Sequence, residues 1–214
     1  MQHDIAIEIS QLVVKSQPDA VVKITEKETS KGRWKGPFSK TEVERILGPF
    51  QTSPLGIIPK TNGDVRLVQD FSWPRDGPYA SVNAFIESDE FITAWHGVRA
   101  VIDALLKTDP GIEAASMDGE DTFRTCLAAR SQWPGLVVQT EDGVFYVDMF
   151  LPFGLVSATG VWGLVADTTR AIIAARLDGG VVILKWIDDF LIIRKRPSIS
   201  LNSVRAATSD LNFA

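Results

Sequence analysis

The feature that most constrains this chain is a pair of adjacent carboxylates placed between two strongly apolar segments. Val181–Trp186 and Phe190–Ile193 are separated by Ile187-Asp188-Asp189, a pattern that predicts a β-hairpin. Two anions beside buried strands repel each other and resist desolvation unless a cation compensates them. The pair is therefore either an ordinary Asp-containing turn or part of a divalent-metal site.

A third carboxylate follows another apolar segment far upstream. Ile112–Met117 predicts a strand that leads directly into Asp118. If the two strands are neighbours in one sheet, their ends bring Asp118 next to Asp188. Two or three carboxylates there could hold two Mg²⁺ ions about 3.5–4 Å apart, the geometry for in-line phosphoryl transfer; Mn²⁺ is a second candidate. Since Mg²⁺ completes its shell with water and substrate phosphates, such a site indicates a nucleotide substrate.

The other segments predict a mixed order of strands and helices. Leu55–Pro59 and Val65–Phe71 flank Asn62-Gly63, and Leu136–Val138 and Val144–Val147 flank Glu-Asp-Gly, so each pair predicts a hairpin. Helical spacing is found in Lys40–Leu47, Trp95–Leu106 and Ser157–Leu177. Because strands and helices do not alternate regularly, the order favours an α+β fold with an antiparallel sheet.

The composition is that of an ordinary globular protein, which excludes disordered, collagen-like and coiled-coil chains. The 214 residues are 45% hydrophobic and 23% charged. The net charge of −5 gives no overall signal for nucleic acid, but the charges are segregated. Glu87–Asp121 has nine acids and two bases, whereas Lys23–Arg45 has seven bases and four acids. The basic segments either follow a template–primer backbone or are solvated tails.

The sequence also indicates an intracellular, soluble protein, with no pointer to a cellular compartment. The N-terminus has no basic region followed by an apolar run, so no signal peptide is expected. Met149–Ala166 is uncharged but contains a proline and several glycines, which favours a buried loop and helix over a transmembrane helix. Cys126 is the single cysteine, and His3 and His96 are far apart, so neither a disulfide nor a zinc site is expected.

Five segments resemble, in family order, the fingers and palm of reverse transcriptases from retroelements. Asp118, with Phe123 five residues later, is similar to the first palm motif, and residues 151–158 (LPFGLVSA) resemble the segment that enters a palm helix. Trp186-Ile187-Asp188-Asp189 resembles the aromatic-x-Asp-Asp signature, and residues 53–60 and 65–71 resemble the fingers hairpin. The motifs are more similar to retrotransposons than to telomerases. The resemblance implies an RNA-directed DNA polymerase, a nucleotidyltransferase that adds dNTPs to a primer on an RNA or DNA template.

The resemblance also implies a domain plan. Residues 37–194 would be fingers and palm, with an antiparallel sheet packed on helices and a partial fingers hairpin. Residues 1–36 would be a peripheral arm and residues 195–214 a truncated basic segment. From its residues alone, the basic stretch Lys23–Arg45, which contains Gly32, Gly36 and Pro37, predicts an irregular arm. Since only 25 residues follow Asp189, a thumb is expected to be absent, and a thumb or ribonuclease H segment of a polyprotein is an expected partner.

For the metal site, the resemblance implies four residues. Asp118 and Asp188 would bind both catalytic metals, the Gly119 carbonyl would assist, and Asp189 would be a weaker ligand. Two alternatives to an active polymerase stay open. One is a catalytically inactive retroelement remnant that binds nucleic acid, and the other is a carboxylate-metal nuclease.

For the substrate, the resemblance implies five residues. Phe123 would be a steric gate whose ring excludes a ribose 2′-hydroxyl. Lys60 and Arg66 would clamp the triphosphate, and Phe153 and Gly154 would line the pocket for the incoming base and sugar. By position alone, Phe123 would be a core residue, Lys60 and Arg66 solubilising charges on an exposed hairpin, and Phe153-Gly154 a helix entry.

Overall fold

The computed structural model describes residues 15, 17–60, 65–76, 78–141, 143–195 and 199–211. These residues fall into two compact units, each built from two separate stretches of chain. The first unit lies within residues 1–90 and 123–158, and the second within residues 91–122 and 159–214. The boundaries at 36/37 and 194/195 stay a prediction.

The elements alternate irregularly along the chain, as the mixed pattern predicts. The strands are β1 (Trp34–Phe38), β2 (Leu55–Pro59), β3 (Val65–Gln69), β4 (Ala114–Asp118), β5 (Val137–Glu141), β6 (Val144–Asp148), β7 (Val181–Trp186) and β8 (Asp189–Arg194). The α-helices are α1 (Pro18–Ser30), α2 (Lys40–Leu47), α3 (Val98–Leu105), α4 (Ala158–Arg176) and α5 (Leu201–Thr208). The α+β class is confirmed.

Within the described residues of the first unit, the strands form two antiparallel sheets. One has the order β1-β6-β5, and the other is the β2–β3 hairpin, in which Leu55 pairs with Gln69 and Pro59 with Val65. Both predicted hairpins of this unit are confirmed as strand pairs. The predicted Asn62-Gly63 turn lies outside the described residues.

The N-terminal region corrects one prediction. The glycines and the proline of the basic stretch Lys23–Arg45 predict an irregular arm, but this region contributes α1 and β1 to the first unit, besides the predicted helix α2. Val21 and Trp34 are 3% and 6% exposed and share a core cluster with Leu55 and Val138. The predicted irregular structure is wrong, because the lysines of α1 and β1 are exposed while Val21 and Trp34 are buried in a core that both elements share.

The second unit is built around the antiparallel sheet β4-β8-β7. The predicted hairpin is confirmed, since β7 pairs with β8 along its whole length. Val181 lies opposite Arg194 at one end, and Trp186 lies opposite Asp189 next to the turn. One face of the sheet packs on α3, where Ala104 contacts Leu184 and Ile193. Phe190 and Ile192, which alternate with these residues along β8, are also completely buried. The central strand β8 is therefore buried on both faces, and the acidic residues Asp118 and Asp189 lie at the end of the sheet that carries the hairpin turn.

Helix α3 buries a different face from the one that its strongest apolar pattern suggests. Val98, Ile102 and Leu105 have helical spacing but are 77%, 51% and 50% exposed. The side that packs on the sheet consists of small and medium side chains, including Ala100 and Ala104. The periodicity thus predicts the helix correctly without identifying its buried side.

The uncharged stretch Met149–Ala166 divides into a loop and the first turns of α4. None of the helices in the described part of the chain combines the length and the apolar character that crossing a membrane requires.

Candidate functional site

Three acidic residues from two separate motifs, Asp118 and the adjacent pair Asp188 and Asp189, meet at one end of the second unit's sheet. β4 and β8 run antiparallel with Asp118 opposite Asp189. The backbone N–H of Gly119 donates to the carbonyl oxygen of Asp188 at 2.8 Å, so the end of β4 is also bound to the hairpin turn. Because directly opposite residues have Cβ atoms about 4.5–5.5 Å apart, the carboxylates of Asp118 and Asp189 are neighbours.

The pKa of Asp118 reflects the proximity of the other two carboxylates. Desolvation raises the pKa of Asp118, and the negative charges of Asp188 and Asp189 raise it further. The Asp118 side chain is exposed, and no neighbouring cation lowers its pKa. The end of the sheet is therefore a concentration of negative charge that a divalent cation would relieve.

The carboxylates do not form a ready-made cage. Across the described residues, no group of three or more His, Cys, Asp or Glu side chains is arranged to hold a metal ion. The donor set still fits Mg²⁺, because this ion commonly takes one or two carboxylates and obtains its other ligands from water and substrate phosphates. A shared cation thus agrees with the residue types and the strand register.

The predicted substrate residues lie in the first unit, and three of them are in contact there. Phe123 is 6% exposed, and its ring meets that of Phe153 edge to face with centroids 5.0 Å apart. The Arg66 guanidinium lies over the Phe153 ring at 5.4 Å from its centroid. The β2–β3 hairpin therefore brings a cation to the pair of aromatic rings. Lys60 is exposed just after β2.

Gly154 occupies a position that only glycine fits. Its φ is +100°, and a Cβ there would lie 2.8 Å from the Gln69 carbonyl oxygen. Its own carbonyl accepts a hydrogen bond from Asn83 Nδ2 at 2.9 Å, and Asn83 Oδ1 accepts from the N–H of Val156 at 3.0 Å. The segment that carries Phe153 is thus held against β3, so the helix-entry and pocket-lining interpretations of Gly154 are compatible.

Sequence reasoning missed a buried ion network next to Phe123. Arg124 Nη1 and Nη2 donate to Asp148 at 2.7 Å and to Glu28 at 2.8 Å. The Trp34 indole also donates to Asp148, at 3.1 Å. The network fixes the turn that carries Phe123, because Arg124 is the next residue. The available signal was a lone Asp in the apolar segment Val144–Phe150.

Comparisons of the whole chain identify its fold. No family model matches the sequence, and no curated protein matches it either. Among solved structures, the prototype foamy virus protease-reverse transcriptase matches with TM-scores of 0.63 for a CSH mutant and 0.60 for the native protein. Sequence identities are 12% and 15%, over 94% and 92% of this chain and 23% of each matched chain.

A third structure, the foamy viral protease-reverse transcriptase dRH in complex with double-stranded DNA, gives a TM-score of 0.61 at 15% identity. The match covers 91% of this chain and 30% of that chain. This chain therefore spans about a quarter of the length of the solved structures it matches. The fold of this chain is therefore similar to that of the matched part of these protease-reverse transcriptases.

Proposed function

We propose that this chain is the fingers and palm portion of an RNA-directed DNA polymerase from a retroelement of retrotransposon type. The register that sets Asp118 opposite Asp189 carries the proposal. Motifs far apart in the chain meet in this register on a fold that resembles reverse transcriptases. The negative charges of Asp188 and Asp189 next to Asp118 favour binding of a divalent cation at this end of the sheet.

Asp118 and Asp188 would hold Mg²⁺ or Mn²⁺, with Asp189 and the Gly119 carbonyl as weaker contributors. When bound, two such ions activate a primer 3′-hydroxyl and stabilise the leaving pyrophosphate. The chain itself contributes three carboxylates at one end of the β4-β8-β7 sheet. Their repulsion without a cation makes the affinity for metal depend on all of them.

The residues of the first unit would bind and select the nucleotide. Arg66 and Lys60 would contact the triphosphate, where a guanidinium can donate two parallel hydrogen bonds. Phe153 and Gly154 would line the pocket for the base and sugar. The Phe123 ring, packed edge to face on Phe153, would have no room to move away from a ribose 2′-hydroxyl, so deoxynucleotides would be preferred. The other partner would be a primed RNA or DNA template.

Primer extension tests the proposal. The assay would supply Mg²⁺, dTTP and an oligo(dT) primer on poly(rA), with a DNA template in parallel, and would compare the wild type with Asp188→Asn. Loss of a metal ligand should reduce extension by about a hundredfold or more, since metal ions supply several kcal/mol of transition-state stabilisation. Asp103→Asn is the control, because Asp103 is an exposed acid on α3 of the same unit.

The outcomes separate the candidate functions. Extension that is lost in Asp188→Asn and kept in Asp103→Asn supports the polymerase. Template–primer binding without extension by the wild type would instead favour a non-catalytic nucleic-acid-binding protein, and Mg²⁺-dependent cleavage without incorporation would favour a nuclease.

A further inference from the structure

The turn between β7 and β8 holds a residue in an unfavourable backbone conformation. Ile187 has a φ of +53°, the left-handed region that β-branched residues seldom adopt. Ile187 directly precedes Asp188, so its backbone sets the direction in which the two carboxylates leave the strand. Such strain persists only where surrounding contacts oppose its relaxation.

A tryptophan from α4 supplies such a contact. The Trp162 indole Nε1–H donates to the Ile187 carbonyl oxygen at 2.6 Å. Trp162 is 6% exposed, so the bond is shielded from competing water and loss of the donor would leave a carbonyl without its partner.

The part of α4 that carries Trp162 is itself bound to β7. The Lys185 side chain is 1% exposed and its Nζ lies 2.7 Å from Asp167 Oδ2. The same Nζ donates to the Gly163 carbonyl oxygen at 2.9 Å. A buried charge paired in this way is costly to displace, so the helix cannot easily withdraw the indole from the turn.

A further hydrogen bond connects the turn to the end of β4. Gly119 N–H donates to the Asp188 carbonyl oxygen, and Gly119 follows Asp118. The contacts thus run from α4 through Ile187 and Asp188 to the end of β4, where all three carboxylates lie.

We propose that Trp162 is a positioning residue whose indole N–H holds the strained Ile187 turn and so sets the placement of the Asp118, Asp188 and Asp189 carboxylates for a divalent cation. The part of this inference that concerns the cation rests on the proposed function. The part that concerns the turn does not.

Amide hydrogen exchange tests the turn without any metal. Trp162→Phe keeps an aromatic ring and removes the donor, and it should speed exchange of the Gly119 amide about fivefold, the equivalent of one net hydrogen bond. Trp133→Phe is the control, since Trp133 Nε1 also donates to a backbone carbonyl, that of Ala128 at 3.1 Å, but in the first unit. An unchanged Gly119 rate in Trp162→Phe, or an equal change in the control, would overturn the proposal.

Binding of Mn²⁺, followed by the electron paramagnetic resonance signal of the free ion, tests the link to the carboxylates. Trp162→Phe should weaken binding about fivefold. In an Ile187→Gly background the same change should cost less than about twofold, because glycine adopts a positive φ without strain. Equal factors in both backgrounds would show that Trp162 acts only through general stability, which contradicts the proposal.

Two further measurements keep the interpretation unambiguous. If Trp162→Phe does not fold, benzothienylalanine at position 162, which is isosteric with tryptophan but lacks the N–H, replaces it in both experiments. If Asp188→Asn binds Mn²⁺ as well as the wild type does, the metal-dependent function is wrong, and the exchange rate of Gly119 still decides whether Trp162 holds the turn.

Discussion

Asp148 in the first unit and Asp118 in the second have the same chemical group in opposite surroundings. Burial raises the pKa of Asp148, and the charge and hydrogen bond of the Arg124 guanidinium oppose that rise together with two further donors, the Phe150 N–H and the Trp34 indole. Desolvation also raises the pKa of Asp118, but there the neighbouring charges of Asp188 and Asp189 increase the effect. One carboxylate has its cation built into the protein, whereas the other is surrounded by like charges.

The difference indicates which carboxylates serve the fold and which serve a ligand. A buried acid with an arginine, an indole and a backbone N–H has its acceptors satisfied and gains little from an added ion. An exposed acid beside two other acids destabilises the protein until a cation arrives. Three substitutions sharpen or break this comparison, and they are taken from the largest expected effect to the smallest.

Removing the built-in cation should have the largest effect. Arg124→Met leaves Asp148 and Glu28 without the partner that both contact. Breaking a buried ion pair on one side typically costs about 3–5 kcal/mol, measured here as the free energy of unfolding in urea. Arg75→Met is the control, because the Arg75–Asp70 pair is exposed and exposed pairs contribute little. If Arg124→Met and Arg75→Met lower the free energy of unfolding by similar amounts, the buried ion pairs of Arg124 stabilise the protein no more than an exposed pair does.

Opening the proposed steric gate should have an intermediate effect. Phe123→Val removes most of the ring that packs on Phe153 and should increase incorporation of ribonucleotides relative to deoxyribonucleotides about tenfold or more. The measurement is the ratio of kcat/KM for rUTP and dTTP in primer extension. Phe145→Val, which also removes a buried ring (5% exposed), controls for lost core volume. A ratio that stays constant in Phe123→Val would assign Phe123 to the core alone.

Neutralising one of the clustered acids should have the smallest effect on stability, and it should be favourable. A folded-state pKa above the ordinary 3.8 of Asp118 means that protonation favours the folded state. The stability associated with Asp118 is therefore fully present below pH 3.8 and is lost as the pH rises through the folded-state pKa. At neutral pH Asp118→Asn should consequently raise the Tm slightly. A lower Tm would contradict the repulsion among the three acids.

The effect of Mn²⁺ on the Tm provides a second test of Asp118→Asn. Added Mn²⁺ should raise the Tm of the wild type by binding the folded state and should raise that of Asp118→Asn much less. An equal rise in both proteins would place the ion elsewhere.

Local patterns predict much of this fold because they depend on neighbouring residues. The limits of α2 follow from Ser39 and Gly48, since Ser39 forms a capping box with Glu42 and Gly48 ends the helix at a φ of +78°. The limits of β7 and the position of its turn follow from an apolar run interrupted by two acids. These features were accessible to sequence reasoning without knowledge of any tertiary contact.

Features that depend on distant partners were not accessible in this way. Arg124 and Asp148 are 24 positions apart, and nothing near either residue indicates the other. Trp162 and Ile187 are 25 positions apart, and a tryptophan in an apolar helix resembles any core residue. The exposed face of α3 was also unpredictable, because helical spacing identifies an apolar side without showing whether another element covers it.

The central claim is that Asp118 and Asp188 jointly bind a divalent cation at the end of the β4-β8-β7 sheet. Calorimetric titration with Mn²⁺ of the wild type, Asp118→Asn, Asp188→Asn and the control Asp103→Asn tests it most directly. Each of the first two substitutions should weaken binding about tenfold or more, because each removes a charged ligand of the ion, and the control should bind as the wild type does. Wild-type affinity in both Asp118→Asn and Asp188→Asn would contradict the claim.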